Sequence, residues 1–175
     1  MSVKKLIVVI LSLVVFLCPA SAQKKKQASG KEPLFGKALA TYPINSRELS
    51  GACCYLVGGH GGPDPGAIGT YQGHKLHEDE YAYDIVLRLG RELMMRGAKV
   101  HFIIQDKKDG IRNEAILKNS ERNLYVLRNT QPAGVYLELG NIRNSRDQQR
   151  LVLENNRQAL AKWIAEAIVA DYKGK

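Results

Sequence analysis

The stretch Ala52-Cys53-Cys54-Tyr55-Leu56-Val57-Gly58-Gly59-His60-Gly61-Gly62-Pro63-Asp64-Pro65-Gly66-Ala67-Ile68-Gly69 decides the fold. Its first six residues are apolar and run into paired glycines, the pattern of a short buried strand. The glycines let the chain turn sharply where the strand ends. An amphipathic segment follows. Over residues 78–96, Ala82, Ile85, Val86, Leu89, Leu93 and Met94 recur at spacings of three and four, which predicts a helix with one buried stripe. Gly97 is placed to cap it. Residues 99–104, Lys-Val-His-Phe-Ile-Ile, read as a second strand. A helix between two strands is long enough to be the crossover that parallel pairing needs. The pattern predicts an α/β fold.

Working outward, residues 58–73 read as a loop rich in Gly and Pro. Residues 106–122 are polar, residues 124–127 predict a third strand, and residues 133–139 a fourth, closed by Gly140. Ser145 with Gln148 has capping-box spacing. It starts a long helix over residues 147–172, kinked near Asn155-Asn156, with Leu151, Leu160, Ile164 and Ile168 on its buried side. The expected architecture is a single α/β domain over residues 51–175, with a mostly parallel or mixed sheet flanked by helices. No internal repeat is visible.

The N-terminus reads differently. Lys4 and Lys5 precede an apolar run over residues 6–17, then Pro19 and Ala20-Ser21-Ala22. Charge, apolar stretch and a small-x-small site form the order of a secretory signal peptide, with cleavage expected after Ala22. The run is short for a membrane span of about 20 apolar residues, so no stable membrane insertion is expected once it is cleaved. Cys18 raises a lipidation alternative, which Leu17 disfavours because it sits where such signals usually carry a small residue. Residues 23–50 open on Lys24-Lys25-Lys26, carry Gly30, Pro33, Gly36 and Pro43, and read as a basic, largely irregular tether.

Composition narrows the class. With 45% hydrophobic and 25% charged residues, the chain has an ordinary globular balance. Its formal charge of +9 falls to +7 once Lys4 and Lys5 leave with the signal peptide. A basic exported protein suits anionic partners such as a cell wall. No aromatic-studded basic motif of a nucleic-acid module is present, so nucleic acid is not an expected partner. Adjacent Cys53 and Cys54 point to opposite faces of a strand and predict buried thiols rather than a disulfide.

Three residues stand where chemistry could occur. His60 follows the first strand, at the sheet edge where open α/β folds bind ligands. It reads as a zinc ligand or as a plain turn histidine. Glu78 opens the first helix, where a carboxylate could ligate a metal or merely complement the positive helix end. His74, His77, Asp79 and Glu80 crowd the same turn. Glu138 lies in an apolar run, Val135-Tyr136-Leu137-Glu138-Leu139. There it must be paired, metal-bound or protonated, or must reach solvent on an open face. Beside a zinc-bound water it would be a general base.

Gly59-His60-Gly61-Gly62-Pro63-Asp64-Pro65-Gly66-Ala67-Ile68-Gly69 resembles the first motif of the zinc-dependent N-acetylmuramoyl-L-alanine amidases of the amidase-3 type. Glu78-Asp79-Glu80 is similar to the Glu-led start of that family's next helix. The stretch from Pro132-Ala133 through Glu138-Leu139-Gly140 to Asn144 resembles its C-terminal Glu-bearing motif. The resemblance implies zinc on His60 and Glu78, a general base at Glu138, and hydrolysis of the amide between N-acetylmuramic acid and the L-alanine of peptidoglycan. It also implies a third ligand, a His in a strand between the two motifs. No His follows His101, so a central segment bearing that ligand is expected to be missing, with His74 or His77 as a possible substitute. The alternative is an impaired member of the same fold that binds cell wall without cutting it.

Overall fold

A computed structural model describes residues 27–62, 64–104, 131 and 133–174. The expected signal peptide and the strand expected at residues 124–127 lie outside the described residues.

The fold is α/β, as the strand–helix–strand pattern predicts. Strand β1 (Ser29–Lys31) pairs antiparallel with β2 (Thr41–Pro43). A 3₁₀ turn (Pro33–Phe35) and a one-turn helix, α1 (Gly36–Leu39), connect them. Next come β3 (Cys53–Val57), an antiparallel hairpin of β4 (Ile68–Tyr71) and β5 (His74–His77), and helix α2 (Glu78–Met95). Strand β6 (Lys99–Ile103) lies parallel to β3, with Cys53 opposite Lys99 and Val57 opposite Ile103. Helices α3 (Ser145–Leu151) and α4 (Glu154–Lys173) end the chain.

Helix α2 is the centre of the core. Its buried Leu89, Leu93 and Met94 pack with Val100 of β6 and with partly buried Cys54, Leu56 and Phe102 on the inner sheet face. Ala161, Ala165 and Val169 of α4 belong to the same cluster. Their small side chains, four residues apart, form a narrow stripe that lets the two helices approach closely. The expected stripe of Leu160, Ile164 and Ile168 is only partly buried, so the inward face of α4 is turned by one residue. A polar seam also joins the helices. Asp84 binds Arg88 and Arg157, while Gln158 joins Arg88 to Glu92. At the end of α2, Gly97 (φ +91°) donates to Met94 and Ala98 to Leu93, a Schellman close.

Five expectations are corrected. The first strand is buried on one side only: Tyr55 is 62% and Val57 55% exposed, with Cys53 beside them, because among the described residues only the inner face is covered by α2. Residues 27–50 are not largely irregular. Besides β1, α1 and β2, they place Leu49 at 0% exposure in the core, and Phe35 packs edge-on against Phe102 at 5.9 Å. Residues 133–139 form no strand and are exposed throughout, Val135 at 80%, because an extended run becomes a strand only by hydrogen bonding to a neighbour. The last helix is broken at Val152-Leu153 rather than kinked at 155–156. There, Asn156 donates to the Arg150 carbonyl and Arg157 to that of Leu151, supplying the end of α3 with side-chain donors. Asn144, not Ser145, caps α3, accepting from the N–H groups of Arg146 and Asp147. Cys53 and Cys54 are free thiols, and Cys53 is exposed rather than buried as expected. Burial, and secondarily Cys53, push the Cys54 thiol up.

Candidate functional site

The loop after β3 is built by hydrogen bonds among its own residues. Gly61 and Asp64 exchange two backbone bonds, at 3.0 and 3.2 Å, closing a tight turn. The Asp64 carboxylate accepts from Gly66 N–H at 3.0 Å and holds His60 Nδ1 at 2.9 Å. The loop then docks onto the start of α2. Glu78 N–H donates to the Ala67 carbonyl, and Asp79 N–H to that of Pro65. In return Ala67 N–H donates to Glu78 Oε2 at 2.7 Å. Gly66 has φ +66°, and a Cβ there would meet Glu78 Oε2 at 2.8 Å and His60 Cδ2 at 2.9 Å. Only glycine lets the two side chains close over that point.

His60 and Glu78, eighteen residues apart, are therefore brought together, with Nε2 3.5 Å from Oε1. Both remain accessible, His60 at 34% and Glu78 at 41%. Asp64 as acceptor places the ring proton on Nδ1, so the Nε2 lone pair faces a carboxylate oxygen. Two such donors facing each other need a proton or a cation between them. Two ligands on a tetrahedral zinc, each about 2.0–2.1 Å from it, stand about 3.3 Å apart. The pair therefore fits as two ligands of such a set, with Asp64 in the orienting position behind the histidine. Asp64 lies within the glycine motif, and its role was not expected from the sequence. Its signal was the His-x-x-x-Asp spacing inside a glycine turn.

The third position is not filled in the same way. Among the described residues no group of three His, Cys, Asp or Glu side chains is placed to hold a metal. His77 stands at the N-cap position of α2 without a side-chain capping bond, His74 sits at the hairpin turn, and His101 stacks on Tyr55 at 4.9 Å. None of the three joins His60 and Glu78 in such a group, so the possible substitution by His74 or His77 is not seen among the described residues.

Glu138 sits on the exposed 133–140 segment, whose neighbours are open rather than buried. The chain just beyond it is fixed. Asn141 N–H donates to Asp147 at 3.0 Å, and Gln148 Nε2 donates to the Ile142 carbonyl at 2.7 Å. Ile142, 5% exposed, packs its carbonyl against Gly69 of β4. The Glu138-bearing motif is thereby tied to the hairpin that starts directly after Ala67.

The described residues include no helix long and apolar enough to cross a membrane. A family model described as N-acetylmuramoyl-L-alanine amidase matches residues 106–170. That segment contains Glu138, α3 and most of α4, and it begins after His60 and Glu78. Comparison with curated proteins and with solved structures gave no match.

Proposed function

We propose, from the chain's match to the N-acetylmuramoyl-L-alanine amidase family over residues 106–170, that it is an exported peptidoglycan hydrolase cutting the amide between N-acetylmuramic acid and L-alanine. The observation that carries the reading is the approach of His60 Nε2 to Glu78 Oε1 at 3.5 Å, with Asp64 behind. In this reading His60 and Glu78 hold zinc. Bound there, zinc would polarise the amide carbonyl and acidify an attacking water. Glu138 would serve as the general base, taking a proton from the attacking water and giving one to the departing L-alanine amine. The products are a glycan strand and a free stem peptide. The signal peptide over residues 1–22 would deliver the chain to the periplasm or wall, where its +7 mature charge favours an anionic polymer.

A metal analysis of the purified chain tests the ligand assignment, with zinc retained by the unsubstituted chain and lost in His60→Ala. Release of stem peptide from purified peptidoglycan tests the activity. It should need zinc and fall at least a hundredfold in Glu138→Gln, the scale of a lost general base. Zinc-loaded chain that releases no stem peptide, in an assay where a full-length amidase works, sinks the catalytic reading.

The lack of a three-ligand group among the described residues favours a second reading, a wall-binding protein of the same fold that does not cut. Co-sedimentation with cell walls, unchanged by a chelator and by Glu138→Ala, is its expected result. Failure to sediment at all removes it.

A further inference from the structure

The turn between Gly140 and α3 sets an arginine against β4, where Ile68 pairs with His77, the residue before Glu78. Its place is set by two fixed neighbours. A Cβ on Gly69 would collide with the Ile142 carbonyl oxygen, so the turn lies directly on β4. Arg143, the next residue, has its N–H held by Asn141 Oδ1 at 2.9 Å. Its Nε reaches the Ile68 carbonyl at 3.4 Å. Ile68 follows Ala67, whose N–H anchors Glu78. With Nε turned to the backbone, the two Nη groups of this exposed side chain are left as a fork facing solvent, and among the described residues they form no ion pair.

The electrostatics of the site give that fork a purpose. Asp64, Glu78 and, in the proposed reading, Glu138 are all acidic, so an anionic substrate meets like charge. A stem peptide carries free carboxylates beyond its first alanine. A guanidinium fork matches a carboxylate in a bidentate way that no other side chain does.

We propose that Arg143 is a specificity-determining residue that takes a free stem-peptide carboxylate. This rests on the amidase reading. The test is calorimetric binding in the absence of zinc, so that nothing is cut. Two probes are compared, an N-acetylmuramyl tetrapeptide with free carboxylates and the same molecule with them amidated. The unsubstituted chain is expected to prefer the free acid by about 10- to 100-fold, the range of a charge-assisted contact. Arg143→Ala should bind both probes alike, with its thermal midpoint unchanged, and Arg143→Lys should regain part of the preference. A preference that survives Arg143→Ala overturns the assignment, as does equal binding of both probes by the unsubstituted chain. If that chain binds neither probe, the amidase reading falls and this one with it.

Discussion

At the scale of single residues, the His60–Glu78 pair depends on a further carboxylate, Asp64, behind the histidine. Asp64 fixes which nitrogen of His60 carries the proton, so it sets whether Nε2 can act as a donor atom at all. Asp64→Asn keeps the size but can present an N–H to Nδ1, which favours the opposite tautomer. Partners of metal-bound histidines are typically worth 10- to 100-fold in metal affinity. We therefore expect a zinc dissociation constant raised by about that factor, with little change in melting temperature. Competition with a chromogenic chelator measures it, and an unchanged constant means that Asp64 does not orient the ligand. Gly66→Ala makes a harsher change at the same place. Its φ of +66° and the 2.8 Å approach of Glu78 leave no room for a methyl group. The expected cost is about 1–3 kcal/mol, together with loss of the His60–Glu78 geometry. Urea unfolding reads the first effect and zinc binding the second. A variant as stable as its parent that still binds zinc contradicts the placement.

Among the elements, the seam between α2 and α4 can be tested through pH. Burial pushes the Asp84 carboxyl up, but Arg88 and Arg157 outweigh it and hold the group below the usual range. A carboxyl lowered on folding adds stability that is present above its unfolded value, about 3.9, and is lost as pH falls through the folded value. Asp84→Ala should therefore cost about 1–3 kcal/mol at pH 7, where two guanidinium groups lose their acceptor. That deficit should shrink towards zero as pH drops below about 4. Urea midpoints at the two pH values decide it, and a deficit independent of pH would falsify the charge assignment. The elements also show what sequence can carry. Helix α2 is legible from its three- and four-residue spacing, and β3 and β6 from short apolar runs. The hairpin was hidden because its buried positions are Gly69 and Leu76, and a glycine contributes nothing to an apolar alternation. The apolar stretch 133–139 had the composition of a strand, but pairing is a property of a neighbour and cannot be read from the run itself. His60 and Glu78 stand out as candidates from their motif alone. Their closeness became visible only with the bonds from Ala67 and Asp64.

For the whole molecule, the question is where the cooperative unit begins. The composition change at Gly51 marks the start of strong periodicity, not the edge of the core. Leu49 is fully buried among Leu89, Leu93, Ala161 and Ala165, between the sheet and both long helices. Leu49 N–H donates to the Arg96 carbonyl and Asn45 N–H to that of Met95, so the segment also ties down the end of α2. Across the molecule, Tyr172 donates to the Ser50 carbonyl at 3.1 Å, which joins this segment to the end of α4. One side of the sheet is covered by α2, while Tyr55, Val57 and Ile103 on the other remain half exposed or more. Among the described residues this outer face adds little to the core, so each buried leucine counts for more. Leu49→Ala should cost about 2–5 kcal/mol, the range for a large core side chain cut to alanine. A chain begun at Gly51 loses the leucine and both backbone bonds, so it should unfold at clearly lower urea, with a broader transition. If the shortened chain melts as sharply and at the same midpoint as the full one, residues 27–50 are an accessory to the domain and not part of its core.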